Sequence, residues 1–196
     1  MNESAAMNYS AARRAMIDNQ LRPEAVTDGA VLAAMGSVAR EDFVPDGARA
    51  FAYVDRPIVI GAGRAMMPPA ALGRLLSELA PRPGERALVV GAASDYSAAL
   101  LVAMGLDVTS IDGSDLAAGA SENFDLIFID GAVDHVPQPL TDRLVEGGRL
   151  GTALRVSGVS RLVVGRAAAG RLGLKTIVDA DVPALAIFAH RPSFTF

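Results

Sequence analysis

Three places in this sequence carry residue types and spacing suited to holding a nucleotide-like ligand: the stretch Gly91-Ala92-Ala93-Ser94-Asp95, then Asp112, then Asp130. Gly91 follows the apolar run Ala87-Leu88-Val89-Val90, and Asp112 stands 21 positions later, closing a second apolar run. A carboxylate about 20 residues after a strand–turn–helix turn is placed to accept hydrogen bonds from ribose hydroxyls, so the pair reads as a site for an adenosine-containing cofactor. The turn has one glycine where nucleotide loops usually have two or three, and its residues equally suit an ordinary strand-to-helix turn with Asp95 as the helix N-cap. Met66-Met67 also has two readings, as the lining of a substrate pocket or as flexible filler in a core. Other chemistry is poorly supplied. His135 and His190 are 55 residues apart with no partner at ligand spacing, which argues against a metal centre. Ser157, Ser160 and the other serines lie in no Gly-x-Ser-x-Gly elbow. The absence of cysteine removes disulfides, zinc–thiolate sites and thiol nucleophiles together.

The elements that must position these residues follow from periodicity. Apolar residues recur at helical spacing over 4–21, and Thr27 or Asp28 can cap a second helix reaching Met35. Pro68-Pro69 opens a third helix over 70–79, with proline in the first turn, where its missing donor costs little. From Gly84 onward strands and helices alternate: a strand at 87–90, a helix over 96–104, strands at 106–111 and 124–130, and a helix over about 138–145 ended by Gly147-Gly148. Further strands are expected at 149–154, at 160–165 and in two stretches between 172 and 188. The whole predicts one α/β domain over 1–196, with a helical N-terminal region at 1–80 and a mostly parallel sheet at 81–196. Ligands in such sheets bind at the carboxyl ends of the strands, where strand order reverses.

Composition narrows the function classes. With 51% apolar and 20% charged residues the chain is globular, not disordered. Eighteen Lys and Arg against 22 Asp and Glu give a net charge of −4 with no basic run, so neither nucleic acid nor an anionic membrane surface is an expected partner. Arg13-Arg14 is followed by Ala-Met-Ile-Asp-Asn-Gln instead of an apolar secretory core, and the apolar stretch 87–106 is interrupted by the turn at Asp95. A cytoplasmic, non-membrane protein is the expectation.

Several separated segments carry a more specific pattern. Asn19-Gln20-Leu21-Arg22, Arg40-Glu41-Asp42-Phe43-Val44-Pro45 and Ala52-Tyr53-Val54-Asp55, in that order and spacing, resemble the amino-terminal region of protein-L-isoaspartate O-methyltransferases. The likeness resumes at 87–101, where that family has its S-adenosylmethionine (SAM) turn, and at 124–150, where Phe-Asp-x-Ile and Leu-x-x-Gly-Gly-Arg-Leu recur. The resemblance implies a Rossmann-like methyltransferase sheet with an antiparallel C-terminal strand, SAM as cofactor, and an isoaspartyl protein or peptide as substrate. It also implies transfer of the SAM methyl to the free α-carboxylate of the isoaspartyl residue. That nucleophile is already ionised at neutral pH, so proximity and in-line orientation are the enzyme's contribution, with no strong base required.

The sequence departs from the family pattern at three places, all on the ligand side. Where the family reads Gly-Gln-Thr-Ile-Ser-Gln-Pro, this chain reads Gly63-Arg64-Ala65-Met66-Met67-Pro68-Pro69, so the substrate-side positions are Arg64, Met66 and Met67, and the family's hydroxyl falls on Met67. In the SAM turn the family's acid and Gly-x-Gly-x-Gly fall on Val89, Gly91, Ala93 and Asp95, which with Asp112 make up the implied cofactor-binding set. Only 11 residues separate Asp112 from Phe124, where the family has a longer segment with a helix, an edge strand and a Gly-Asp that contacts adenine. The sheet is therefore expected to be truncated by one edge strand, with the 106–111 strand at its edge and available for a homodimer. Weak SAM binding and reduced or lost methyl transfer are expected, the alternative being a non-catalytic chain that acts by binding protein. Arg22, Arg40 and Asp55 are expected to meet and order the N-terminal wall by hydrogen bonds.

Overall fold

The computed structural model describes residues 8–61, 64–91, 95–113, 116 and 122–188. The N-terminal region opens with α1 (Tyr9–Met16), capped by the Asn8 side chain and running directly into a π-helical turn, Ile17–Leu21. Helix α2 (Gly29–Ser37) starts at Asp28, whose carboxylate accepts from the Ala30 and Val31 amides, as the sequence led one to expect. Two 3-10 segments, Arg40–Phe43 and Asp46–Phe51, lead to a short antiparallel hairpin that the sequence reading missed, β1 (Ile58–Gly61) with β2 (Arg64–Met66). Helix α3 (Pro69–Leu79) then packs against the sheet.

Six strands form the main sheet: β3 (Arg86–Val90), β4 (Asp107–Ile111), β5 (Phe124–Val133), β6 (Leu144–Val156), β7 (Val159–Ala168) and β8 (Arg171–Asp179), in the order β4-β3-β5-β6-β7-β8. The first four neighbours pair in parallel, and β6-β7 and β7-β8 are antiparallel. Helix α4 (Tyr96–Ala103) connects β3 to β4, and the single turn α5 (Gln138–Thr141) precedes β6. Two-residue turns at Ser157-Gly158 and Ala169-Gly170 join the last three strands, with all four residues at positive φ, the turn geometry whose twist matches paired strands.

Both faces of the central strands are buried. Ala87, Val89, Leu126 and Phe128 point into the core shared with the N-terminal helices, whereas Leu88, Val90, Ile127 and Ile129 point into a second core with Leu140, Leu150 and Phe188. That double burial is why β3 reads as an unbroken apolar run. Two expectations need correction. The helix predicted over 138–145 is one turn long, because Leu144 and Val145 already belong to β6, and Gly147-Gly148 lies inside that strand instead of ending a helix. The predicted second stretch beyond 172 is no strand: among the described residues after β8, only Ala184 bridges, in parallel, to Ala132. As expected, β4 lies at the sheet edge. Among the described residues no helix is long and apolar enough to cross a membrane, and no group of three or more His, Cys, Asp or Glu could hold a metal ion.

Candidate functional site

Strand order reverses at β3, with β4 on one side and β5 on the other, so the crevice above their carboxyl ends is the place where a sheet of this type holds a ligand. Three glycines line it: Gly91 after β3, Gly113 after β4 and Gly131 within β5. Gly91 has φ +72° and donates its amide to the Ile111 carbonyl at 2.9 Å, drawing the two strand ends together beside Asp112. Gly113 has φ +86°. Such backbone suits glycine, and it leaves an α-carbon face open to close approach.

That face is filled by the chain itself. A β-carbon on Gly91 would fall 2.9 Å from Leu185 Cδ1, one on Gly131 2.5 Å from Leu185 Cγ, and one on Gly113 2.5 Å from Ile187 Cδ1. Residues 183–185 are held there by strand-like bonds: the Ala132 amide donates to the Pro183 carbonyl at 2.7 Å, and the Leu185 amide donates to the Ala132 carbonyl at 2.8 Å. Beyond them Phe188 is buried in the second core.

Beneath the crevice Asp130 is 2% exposed at the end of the apolar part of β5. Ser97, in the first turn of α4, donates its hydroxyl to Asp130 Oδ2 at 3.0 Å. Burial pushes the Asp130 carboxyl up to about 6, against the opposing pull of the Ser97 hydrogen bond and the Arg40 charge. Arg40 is itself fully buried, donating Nε to the Ala52 carbonyl at 2.8 Å and Nη2 to the Met67 carbonyl at 2.6 Å, with its guanidinium 4.9 Å from the Tyr96 ring.

The N-terminal wall is tied by a second polar group. Arg13 donates Nε to the Tyr53 hydroxyl at 2.8 Å and Nη2 to both Glu41 carboxylate oxygens, at 3.0 and 3.2 Å, while the Tyr53 hydroxyl donates to Glu41. Gln20 donates to the Tyr53 carbonyl at 2.9 Å. Asp55 accepts from the Ala70 amide at 2.9 Å and so caps α3, which has no capping side chain of its own at Pro68. In front of that helix end lies a cleft of about 520 Å³ bounded by Asp55, Arg56, Arg74 and the β8 exit at Asp179–Asp181.

The chain's sequence matches a family model described as protein-L-isoaspartate(D-aspartate) O-methyltransferase over residues 11–114, more than half its length. The chain belongs to that family. It is 37% identical over 165 residues to a protein-L-isoaspartate O-methyltransferase of Methylorubrum populi, covering 71% of this chain and 78% of that protein. A second relative, from an Anaeromyxobacter strain, is 34% identical over 164 residues and spans 70% and 68% of the two chains. Among solved structures, a protein-L-isoaspartate O-methyltransferase from Plasmodium falciparum, in complex with S-adenosyl-L-homocysteine, superimposes with a TM-score of 0.76, covering 93% of this chain and all of that one at 17% identity. That likeness establishes the Rossmann-like methyltransferase fold with helices at the N-terminus.

Within the family's frame the predicted site residues divide. Gly91 and Asp112 come together at the ends of β3 and β4, with Asp112 exposed. Asp95 precedes α4 and is exposed; its carbonyl accepts from the Ala99 amide at 2.8 Å, but its side chain makes no capping bond, contrary to the N-cap reading. Ala93 lies outside the described residues, as do Gly63, His190 and most of 113–123. Met66 and Met67 are 2% and 1% exposed and belong to the main core, and Arg64 is exposed on β2. The expected meeting of Arg22, Arg40 and Asp55 does not occur as a unit. Arg22 reaches back to Asp18 at 3.4 Å on the surface, because its position just after the π-helical turn points it outward. The partners that do order the wall, Arg13 with Glu41 and Tyr53, were partly visible: Glu41 and Tyr53 lie in the quoted motifs, whereas Arg13 had no pattern to mark it.

Proposed function

We propose that this chain carries the frame of a SAM-dependent isoaspartyl methyltransferase but binds the cofactor weakly, so that methyl transfer runs far below the level of its relatives. Family membership and the S-adenosyl-L-homocysteine held by the Plasmodium protein support SAM as the cofactor class, and the relatives' names support an isoaspartyl protein or peptide as substrate. The observation that carries the weakening is the crevice itself. With Leu185 over Gly91 and Gly131, and Ile187 over Gly113, the residues present do not fit a nucleoside-sized group on those glycines. The same filling favours the second reading, a non-catalytic chain that acts by binding protein.

The departures at the SAM turn, at the shortened 113–123 segment and at Met67 act on different parts of the ligands. If each cost only about 1.4 kcal/mol, the three would multiply to roughly a thousandfold loss, more than the 0.5–1.5 kcal/mol of a hydrogen bond from Asp112 could offset. Calorimetry with SAM and S-adenosyl-L-homocysteine, and a methyl-transfer assay on an isoaspartyl peptide, test this beside the Methylorubrum populi relative. The expected result is binding and turnover weaker by about two to three powers of ten. Affinity and turnover equal to the relative's would overturn the weakened reading and restore full activity.

A further inference from the structure

The strand-end crevice is closed by a segment anchored at both ends, with a 3-10 turn, Ala186–Phe188, at its exit. Its entry is fixed by the pair of backbone bonds to Ala132, and its exit by Phe188, 6% exposed and packed with Leu88 and Val90. Leu185, whose amide makes one of those bonds, is half-buried and Ile187 is 50% exposed, although these two side chains make the nearest contacts to the glycine faces, with Phe188 Cζ also 3.3 Å from a β-carbon on Gly113. A structural plug would be expected to bury its filling residues as fully as its anchors. Of residues 183–188 only Phe188 is buried: Pro183 and Leu185 are half-buried, and Ala184 and Ile187 are exposed, so few enclosed side chains hold the segment along its length.

We propose that residues 183–188 form a displaceable strap that occupies the cofactor crevice in place of ligand and must swing clear of Gly91, Gly113 and Gly131 before an adenosine-containing ligand can enter. Leu185 covers the junction of β3 and β5, and Ile187 covers the end of β4 beside Asp112, the carboxylate suited to ribose hydroxyls. The strap thus mimics the outline of the ligand with apolar side chains, and ligand and strap exclude one another. Only the fraction of molecules with the strap displaced is competent, and the apparent affinity falls by that fraction. This inference rests on reading the crevice as a cofactor site.

Two variants test it with S-adenosyl-L-homocysteine as the probe. Leu185→Ala with Ile187→Ala clears the Gly91 and Gly131 faces and removes the nearest contact on Gly113 while leaving Phe188 and the Ala132 bonds in place, and calorimetry is expected to show binding at least tenfold tighter than in the unmodified chain. In the opposite direction, Ala132→Cys with Ala184→Cys places two thiols on bridged neighbours in a chain that otherwise has no cysteine. Parallel neighbours lie about 5 Å apart, within disulfide reach. Oxidation is expected to weaken binding at least tenfold relative to the same protein reduced, and this comparison needs no change in the fold. Equal affinity in the oxidised and reduced protein, or no gain in the emptied variant while the unmodified chain binds, would overturn the strap and leave the methyltransferase reading standing. No binding by the emptied variant at millimolar probe would overturn both.

Discussion

Asp130 shows how the packing of one side chain couples the crevice floor to pH. Its carboxyl is pushed from 3.8 up to about 6, mainly by burial, and the Ser97 hydroxyl and the Arg40 guanidinium only partly restore the charged form. The folded chain therefore holds a proton that the unfolded chain releases between those two values. The associated stability is fully present below about pH 4 and is lost as pH rises through about 6. Asp130→Asn removes the titration. The stability of the parent relative to this variant is expected to fall by on the order of 2–3 kcal/mol between about pH 4 and pH 7. Urea unfolding at intervals across that range measures it, and a constant difference would contradict the assignment. Asp130 was legible as an acid at a strand end, but its partners were not. Ser97 and Arg40 stand 33 and 90 positions away, and only the packing of α4 and the N-terminal region onto β5 brings them to it.

Helix α3 begins on two prolines and ends in a left-handed Ala80, and its first-turn amides have no local acceptor. Asp55, 15 positions upstream, supplies one, and a carboxylate at that end is also favoured by the helix dipole. Asp55→Ala is expected to lower unfolding stability by about 1 kcal/mol, and Asp55→Asn by less, because the amide oxygen still accepts. A shift in the denaturant midpoint with an unchanged slope is the signature. The elements that read clearly from sequence, β3, α3 and α4, are those buried in a regular pattern. Those that did not have reasons in their surroundings. β8, expected only as one of two stretches between 172 and 188, is mostly exposed, so no apolar period fixes its bounds, and β1 and β2 are too short to show one. Gly148 resembles a helix stop, yet a β-carbon there would lie 2.9 Å from the Val145 carbonyl, so the glycine serves a tight kink inside β6. The covering of the crevice left no local trace, since nothing in the type of residue 185 announces its contact with residues 91 and 131.

Among the described residues the sheet ends at β4 on one side and at β8 on the other, and the two flanks differ in kind. β8 is the outer strand of the β7-β8 hairpin and carries Arg171 and Lys175, the latter paired with Glu78 of α3, charges that discourage pairing with another chain. Along β4 the sequence Asp-Val-Thr-Ser-Ile has neither lysine nor proline, and among the described residues no strand pairs its outer side. A homodimer through two copies of β4 is the expected association. Light scattering at high concentration should give about twice the 20.3 kDa chain mass. Thr109→Lys with Ser110→Lys should return the single-chain mass through like-charge repulsion across the junction. A single-chain mass for the unmodified protein would remove the expectation. At this level the helical N-terminal region and the parallel sheet were legible from motif order and strand alternation, and the edge position of β4 from the short segment before β5, whereas the residues that tie the N-terminal wall together were not.

The bridge between Ala132 and Ala184 also fixes when the crevice closes during folding. Leu185 lies 94 positions from Gly91 and 54 from Gly131, whereas the β6-β7-β8 meander that carries the chain back is built from two-residue turns. Short closures form before long ones because they sacrifice less chain entropy. The sheet and the main core can therefore be assembled while the three glycines still face water, and the strap arrives on that surface, with Phe188 completing the second core. Its contacts then contribute little to the barrier for folding and act almost wholly on the barrier for opening. The crevice is then expected to close late and reopen early, so that its accessibility is set by a lifetime as much as by an affinity.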